Sequence, residues 1–188
     1  MQKIISLFMR NYGSTDHLVR DEVTPGAEWV VNGEGTAYRK WDGTAVKIEN
    51  GHMYKRYDCK LGTYPPPGFI PSQNPDPITG HWPGWILVDF IKPENKWHVE
   101  GWIHSKGQIL PNGTYELCGP KIGGNPEGCA LHILIPHLGS WITNVPTTFQ
   151  QLHDWFMEHN IEGIVWHHPD GRMVKIKKRD FGLQWPPK

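Results

Sequence analysis

Tyr38-Arg39-Lys40-Trp41-Asp42-Gly43-Thr44-Ala45-Val46 is the stretch from which the fold of this chain is read. A lysine two residues ahead of an Asp-Gly pair leads into alternating apolar and polar residues through Val46, Lys47 and Ile48, the period of a half-buried strand. Lys40 therefore stands at the mouth of a strand. An amine attacks only when neutral, and a free lysine with a pKa of about 10.4 is almost wholly protonated at neutral pH. A nucleophilic Lys40 thus requires burial, neighbouring cations or a bound metal, each of which disfavours the ammonium form. Alone, Lys-x-Asp-Gly fits a surface lysine before a turn better than a nucleophile.

At 188 residues the chain suits one domain, 1–188, with a sizeable core. Nineteen basic residues balance nineteen acidic ones, so no global field draws it to nucleic acid or membrane, and any anion site must be local. Three scattered cysteines, Cys59, Cys118 and Cys129, argue against a disulfide framework and fit a reducing, cytoplasmic setting. The apolar run 4–9 ends at Arg10 without a cleavage pattern, which speaks against a signal peptide. No apolar stretch reaches the length of a membrane span, so no membrane partner is expected. Ten tryptophans offer platforms for bases or sugars, although core packing accounts for most of them.

Residues 3–9 read as a strand, followed by a polar loop and a second strand at 28–31 before the turn Asn32-Gly33-Glu34-Gly35. Strands at 45–49 and 52–57 flank Asn50-Gly51, a strong hairpin signal, and the return strand carries Lys55 and Arg56. Prolines across 62–84 exclude a regular helix or central strand, leaving an ordered loop that Tyr64, Phe69 and Trp82 pin to the body. Residues 85–91 read as a buried strand and 97–103 alternate as another, with His98 and His104 at surface positions.

In the strand 115–118, Glu116 is costly to bury without a partner or a ligand hydroxyl. The glycine-rich run 119–128 after it permits close backbone approach but lacks the Lys-Ser or Lys-Thr of a Walker loop. Residues 131–138 form a strand interrupted at Pro136. Residues 147–160 form a helix, with Thr147 and Gln150 as a capping pair, an apolar face of Phe149, Leu152, Trp155 and Phe156, and Asn160 as its C-terminal cap. Strands at 161–166 and 173–178 flank the turn Pro169-Asp170-Gly171. Period two puts Lys175 and Lys177 on one face and Val174 and Ile176 on the other, and two lysines on one face repel unless an anion lies between them. Cys129-x-x-His132 is only half a zinc pattern.

In chain order the segments supply a nucleophile candidate in Lys40, an arginine in Arg56, strand carboxylates in Glu116 and Glu162, and the lysine pair Lys175 and Lys177. This order resembles the covalent nucleotidyltransferase superfamily of ATP-dependent ligases and capping enzymes. Motif I matches Lys40-Trp41-Asp42-Gly43, motif III Tyr115-Glu116-Leu117, motif IV Glu162-Gly163-Ile164-Val165, and motif V Val174-Lys175-Ile176-Lys177. The resemblance spans residues 29–181 and is closest to RNA ligases of a small 5′-to-3′ type, which carry Glu-Leu-x-Gly followed by Gly-Asn-Pro-x-Gly, here at 116–119 and 124–128. Ala45 stands where DNA ligases and capping enzymes usually carry arginine, which turns the resemblance towards RNA ligases.

The resemblance implies an α+β, ATP-grasp-like nucleotidyltransferase core of antiparallel sheets with few helices and no C-terminal OB domain. It implies that Lys40 attacks the α-phosphate of ATP and holds AMP as a phosphoramidate, with Asp42 orienting the lysine or a metal-bound water and Gly43 completing the nucleotide-binding motif. Arg56 would contact ribose or phosphate, Glu116 the ribose hydroxyls, and Lys175 and Lys177 the α-phosphate. Glu162 would organise Mg2+ or Mn2+. The implied partners are RNA ends, a 5′-phosphate and a 3′-hydroxyl, joined in RNA repair. The base-stacking aromatic stays open between His132, Trp29 and Trp141. Alternatives are a minimal DNA ligase or other covalent nucleotidyltransferase, and a non-catalytic aromatic-rich nucleic-acid-binding module.

Overall fold

The computed structural model describes residues 4–77 and 79–187; the expected strand start at Lys3 and the tail residue Lys188 lie outside them. The chain opens with strands β1 (Ile5–Ser6), β2 (Phe8–Arg10) and β3 (Val19–Val23), a one-turn helix α1 (Glu28–Val31) and β4 (Thr36–Lys40). There follow β5 (Thr44–Glu49), β6 (His52–Cys59), β7 (Ile70–Pro71), β8 (Trp82–Leu87), helix α2 (Lys96–His104), β9 (Gly113–Cys118) and β10 (Ile133–Pro136). Helix α3 (Phe149–Glu158) and strands β11 (Gly163–His167) and β12 (Met173–Lys177) complete the order. The class is α+β with mostly antiparallel sheets, and no helix among the described residues is long and apolar enough to cross a membrane. Residues 42–136 form one compact unit, and residues 4–41 with 137–187 form another.

In the unit 42–136, six antiparallel strands lie in the order β10-β9-β5-β6-β8-β7. The β5–β6 hairpin turns at Asn50 and Gly51, both at positive φ (52° and 73°), as an Asn-Gly turn requires. Val46, Ile48, Met53, Tyr115, Leu117 and Leu134 form the core under α2. Helix α2 replaces the strand expected at 97–103. The period-two alternation there also sets Trp97 and Gly101 one helical turn apart, and packing against β9 and β10 decides between the two. A Cβ at Gly101 would lie 2.4 Å from Leu117 Cδ1, so any larger residue would have to push that buried side chain aside. His98, expected at the surface, is half-buried, and burial followed by the nearby Lys55 pushes its imidazole down to about 4. In the proline-rich loop Phe69 packs against Tyr57 and Trp82, whereas Tyr64 is 95% exposed and pins nothing.

In the other unit, β1-β12-β11-β4 form one sheet and β2-β3 a separate hairpin. The strand expected at 3–9 is broken at Leu7. That fully buried residue donates its N–H to Lys175 O at 2.7 Å and lets the chain leave one sheet for the other. Strand β3 falls in the expected polar loop, since only Val19 and Val23 of Val-Arg-Asp-Glu-Val turn inward. The strand expected at 28–31 is instead α1. Burial of Trp29 and Val30 overrides their strand propensity, and Gly33 at φ +84° ends the turn. Helix α3 starts one residue later than its expected cap: Thr148 is the cap residue, its hydroxyl donating to Gln151 Oε1 at 2.8 Å, and the C-terminal cap is His159 rather than Asn160. Leu152 and Phe156 are fully buried, as the apolar stripe requires.

Candidate active site

The site grows from the four-stranded sheet. Gly163 on β11 lies opposite both Lys40 on β4 and Lys177 on β12, and Val165 lies opposite both Tyr38 and Lys175. Cross-strand partners share a face, and residues two apart on a strand do too, so Lys40, Lys175 and Lys177 project together. Val174, Ile164 and Ile176, on the opposite face, are fully buried. Gly163 is required by backbone approach: a Cβ there would lie 2.3 Å from Ile176 O. Its lack of a side chain also leaves nothing between Lys40 and Lys177 in that row.

Glu162 enters from the residue before β11. Its carbonyl accepts the Lys178 N–H at 2.8 Å, and its side chain is 4% exposed. Its Oε2 accepts from Lys40 Nζ at 2.6 Å, and its Oε1 pairs with Lys177 Nζ at 3.1 Å. One carboxylate among three lysines leaves this face cationic. Lys175 feels the imbalance: burial first, then Lys177 and Lys40, lower its pKa to about 8, against the opposing pull of Asp180 and Glu162. Asp180 accepts the Lys177 N–H at 3.0 Å through Oδ2, and its Oδ1 pairs with Arg10. Sequence reasoning missed Asp180, although an aspartate three residues past Lys177 has the spacing of a capping box.

The remaining sequence-predicted residues belong to the unit 42–136. Gly43 N–H donates to Glu116 Oε1 at 3.1 Å, and Asp42 N–H donates to Glu127 Oε1 at 2.8 Å. A Cβ on Gly43 would lie 2.2 Å from Leu117 O, which explains the glycine of the Asp-Gly pair. Glu116 lies opposite both Ala45 and Ile135, and Arg56 opposite Trp85. Val46 opposite Lys55 continues this register, so Glu116, Ala45 and Arg56 share a sheet face. Arg56 Nε donates to Asp58 Oδ1 at 3.0 Å, and its guanidinium sits 5.7 Å from the Trp85 ring centroid.

The structure sorts the aromatic candidates for base stacking. Trp29 is buried in the core. His132 is buried too, stacked on Trp97 at 4.7 Å; its Nδ1–H donates to Glu100 Oε2 at 2.8 Å while Nε2 accepts the Lys121 N–H at 3.3 Å. Trp141 is 67% exposed, bridged to Tyr38 at the sheet edge. Burial, and then the nearby carboxylate of Glu116, push the Cys118 thiol well up, which makes it a poor nucleophile. Among the described residues no group of three or more His, Cys, Asp or Glu side chains is arranged to hold a metal ion.

Parts of this chain are similar to known proteins. The family model described as RNA ligase 1 matches residues 106–188. Proteins named RNA ligase 1 from Danio rerio and Rattus norvegicus are 32% and 33% identical over 151 residues, covering 62% of this chain and 46% of each relative. The Pongo abelii protein of the same name is 32% identical over 148 residues, covering 62% of this chain and 44% of that protein. Over these parts the chain is similar to proteins named RNA ligase 1. It spans about half the length of the curated relatives it matches. The region matched by the family model includes Glu116, Glu127, Glu162, Lys175 and Lys177, while Lys40 lies ahead of it.

Proposed function

We propose that this chain is an adenylyltransferase core of the nucleotidyltransferase fold. It acts as an ATP-dependent RNA ligase that forms a lysyl-AMP on Lys40, adenylates an RNA 5′-phosphate and joins it to a 3′-hydroxyl. The observation that carries the reading is the fork of Glu162 between Lys40 at 2.6 Å and Lys177 at 3.1 Å, with Lys175 on the same face. Three cations around one carboxylate suit a polyphosphate, because an arriving anion relieves their mutual repulsion. Attack by Lys40 Nζ forms an N–P bond at the α-phosphate and breaks the P–O bond to pyrophosphate. Lys175 and Lys177 offset the charge that accumulates on the phosphate oxygens.

The same fork defines the proton problem. An ion-paired ammonium has no lone pair to offer, so Lys40 must release a proton, and Glu162 Oε2 is an acceptor within hydrogen-bond distance. Nucleotide phosphates competing for Lys177 would free the second oxygen of Glu162. Within 42–136, Glu116 and Arg56 are the proposed ribose and phosphate contacts, and Asp42 the proposed orienting group. Magnesium or manganese is commonly held by one or two carboxylates together with substrate phosphates, a donor set that Glu162 fits by its chemistry. Such an ion would supply charge neutralisation at the phosphates. The two later steps, AMP transfer to a 5′-phosphate and attack by a 3′-hydroxyl with release of AMP, rest on positioning and charge.

The test is incubation with α-labelled ATP and magnesium, followed by denaturation. A labelled, acid-labile adduct is expected, and Lys40→Ala should remove it. Label retained by that variant would reassign the nucleophile, and no adduct with the unaltered protein would favour a nucleic-acid-binding module. Nicked RNA, nicked DNA and single strands then separate RNA ligation from DNA ligation.

A further inference from the structure

The glycine-rich run after β9 builds a support of its own. Ile122 N–H donates to Gly119 O at 3.0 Å, Asn125 N–H to Ile122 O at 2.8 Å, and Gly128 N–H to Asn125 O at 3.1 Å, winding the run into consecutive tight turns. Asn125, at φ +60°, closes the last of them: its Oδ1 accepts the Cys129 N–H at 2.8 Å and its Nδ2 donates to Cys129 O at 3.1 Å. The other end is held by His132, whose ring lies where a Cβ on Gly119 would be, 2.3 Å away. A loop fixed at both ends presents Glu127 to the Asp42 N–H at 2.8 Å, while Glu116 takes the next N–H, that of Gly43, at 3.1 Å. Two successive peptide groups are therefore each held by a carboxylate from a different segment. Such charge-assisted bonds are roughly twice as strong as neutral ones.

We propose that Glu127 is a positioning residue for the nucleophile segment, fixing the main chain two residues past Lys40 through the Asp42 amide. Its consequence for catalysis rests on the reading of Lys40 as the nucleophile. The glycine-rich run then serves as a bracket for Asp42 and Gly43. Glu127→Ala removes the acceptor, and Glu127→Gln retains a carbonyl oxygen at the same reach.

Two readouts separate this role from general stabilisation. Amide hydrogen exchange, followed by NMR with the urea midpoint as a folding control, should quicken at Asp42 by about 10-fold or more in Glu127→Ala, and by less than about threefold in Glu127→Gln. Adduct formation from ATP should slow by about 10- to 100-fold in Glu127→Ala with KM for ATP within about threefold, and should largely recover in Glu127→Gln. Unchanged exchange at Asp42 in Glu127→Ala overturns the proposal. So does a Glu127→Gln variant as slow as Glu127→Ala with its Asp42 exchange intact, since charge rather than placement would then matter. An unaltered protein that forms no adduct defeats the ligase reading alone, and the exchange measurement still decides whether Glu127 holds Asp42.

Discussion

Raising the pH from about 7.5 to 10.5 should relieve a burden on the fold that replacing Lys175 with methionine removes at any pH. Lys175 titrates near 8 in the folded chain against an ordinary 10.5, chiefly because it is buried and secondly because Lys177 and Lys40 lie near it. Below about 8 both folded and unfolded chains hold the proton, so the cost of burying the charge is fully present. Between about 8 and 10.5 the unfolded chain binds the proton and the folded chain does not, so stability rises with pH. Above 10.5 both are neutral and the rise stops. At about 1.4 kcal/mol per pH unit the gap amounts to about 3 kcal/mol, and water at the half-buried ammonium trims it to about 1–3 kcal/mol.

The assay is urea unfolding of the unaltered protein and Lys175→Met at several pH values with m held common. The difference between the two removes the titrating groups that do not interact with Lys175. Lys175→Met should be the more stable by about 1–3 kcal/mol near pH 7.5, with the advantage shrinking towards zero by pH 10.5. Parallel stability curves across that range would refute the cationic crowding described at this face.

Two further perturbations probe the same sheet. Gly163→Ala would drive a Cβ to 2.3 Å from Ile176 O, so thermal unfolding should report a loss of about 1–3 kcal/mol, and adduct formation should fall at least about 10-fold; a variant normal in both would show that the close approach of β11 and β12 is dispensable. Glu162→Gln strips the carboxylate shared by Lys40 and Lys177. Breaking a fully buried pair costs about 3–5 kcal/mol, but these lysines are 23% and 32% exposed, so about 1–3 kcal/mol is expected by urea unfolding. Because Glu162 raises the Lys175 pKa, the same variant should move the Lys175 titration, followed by NMR, to lower pH; a titration that stays put would contradict the arrangement.

The lysine site was legible because period two and covalent order do not depend on packing. Val174 and Ile176 had to turn inward, and that alone set Lys175 and Lys177 outward. Register was not legible: that Gly163 would face Lys40 and Lys177 at once depends on which strands pair, which no local pattern encodes. The errors share one origin. Residues 28–31 and 97–103 carry strand-like residues in short runs, and their helical state is set by Trp29 and Val30 in the core and by Gly101 against Leu117. Strand β3 hid because three charged residues separate its two inward valines. Glu127 went unmarked within the glycine-rich run, since its partner is a main-chain N–H 85 residues away.

On the proposed reading the fork of Glu162 also makes Lys40 a charge relay for its neighbours. A lysine that becomes a phosphoramidate exchanges a cation for a phosphate anion, so on the proposed reading adenylation leaves Glu162 to Lys177 and removes one of the two lysines that hold the Lys175 pKa down. Lys175 would then bind its proton more tightly in the charged enzyme than in the free one. Adenylation at pH 8 to 9 would accordingly register as proton uptake at Lys175, so the protein's buffering capacity records whether it is loaded.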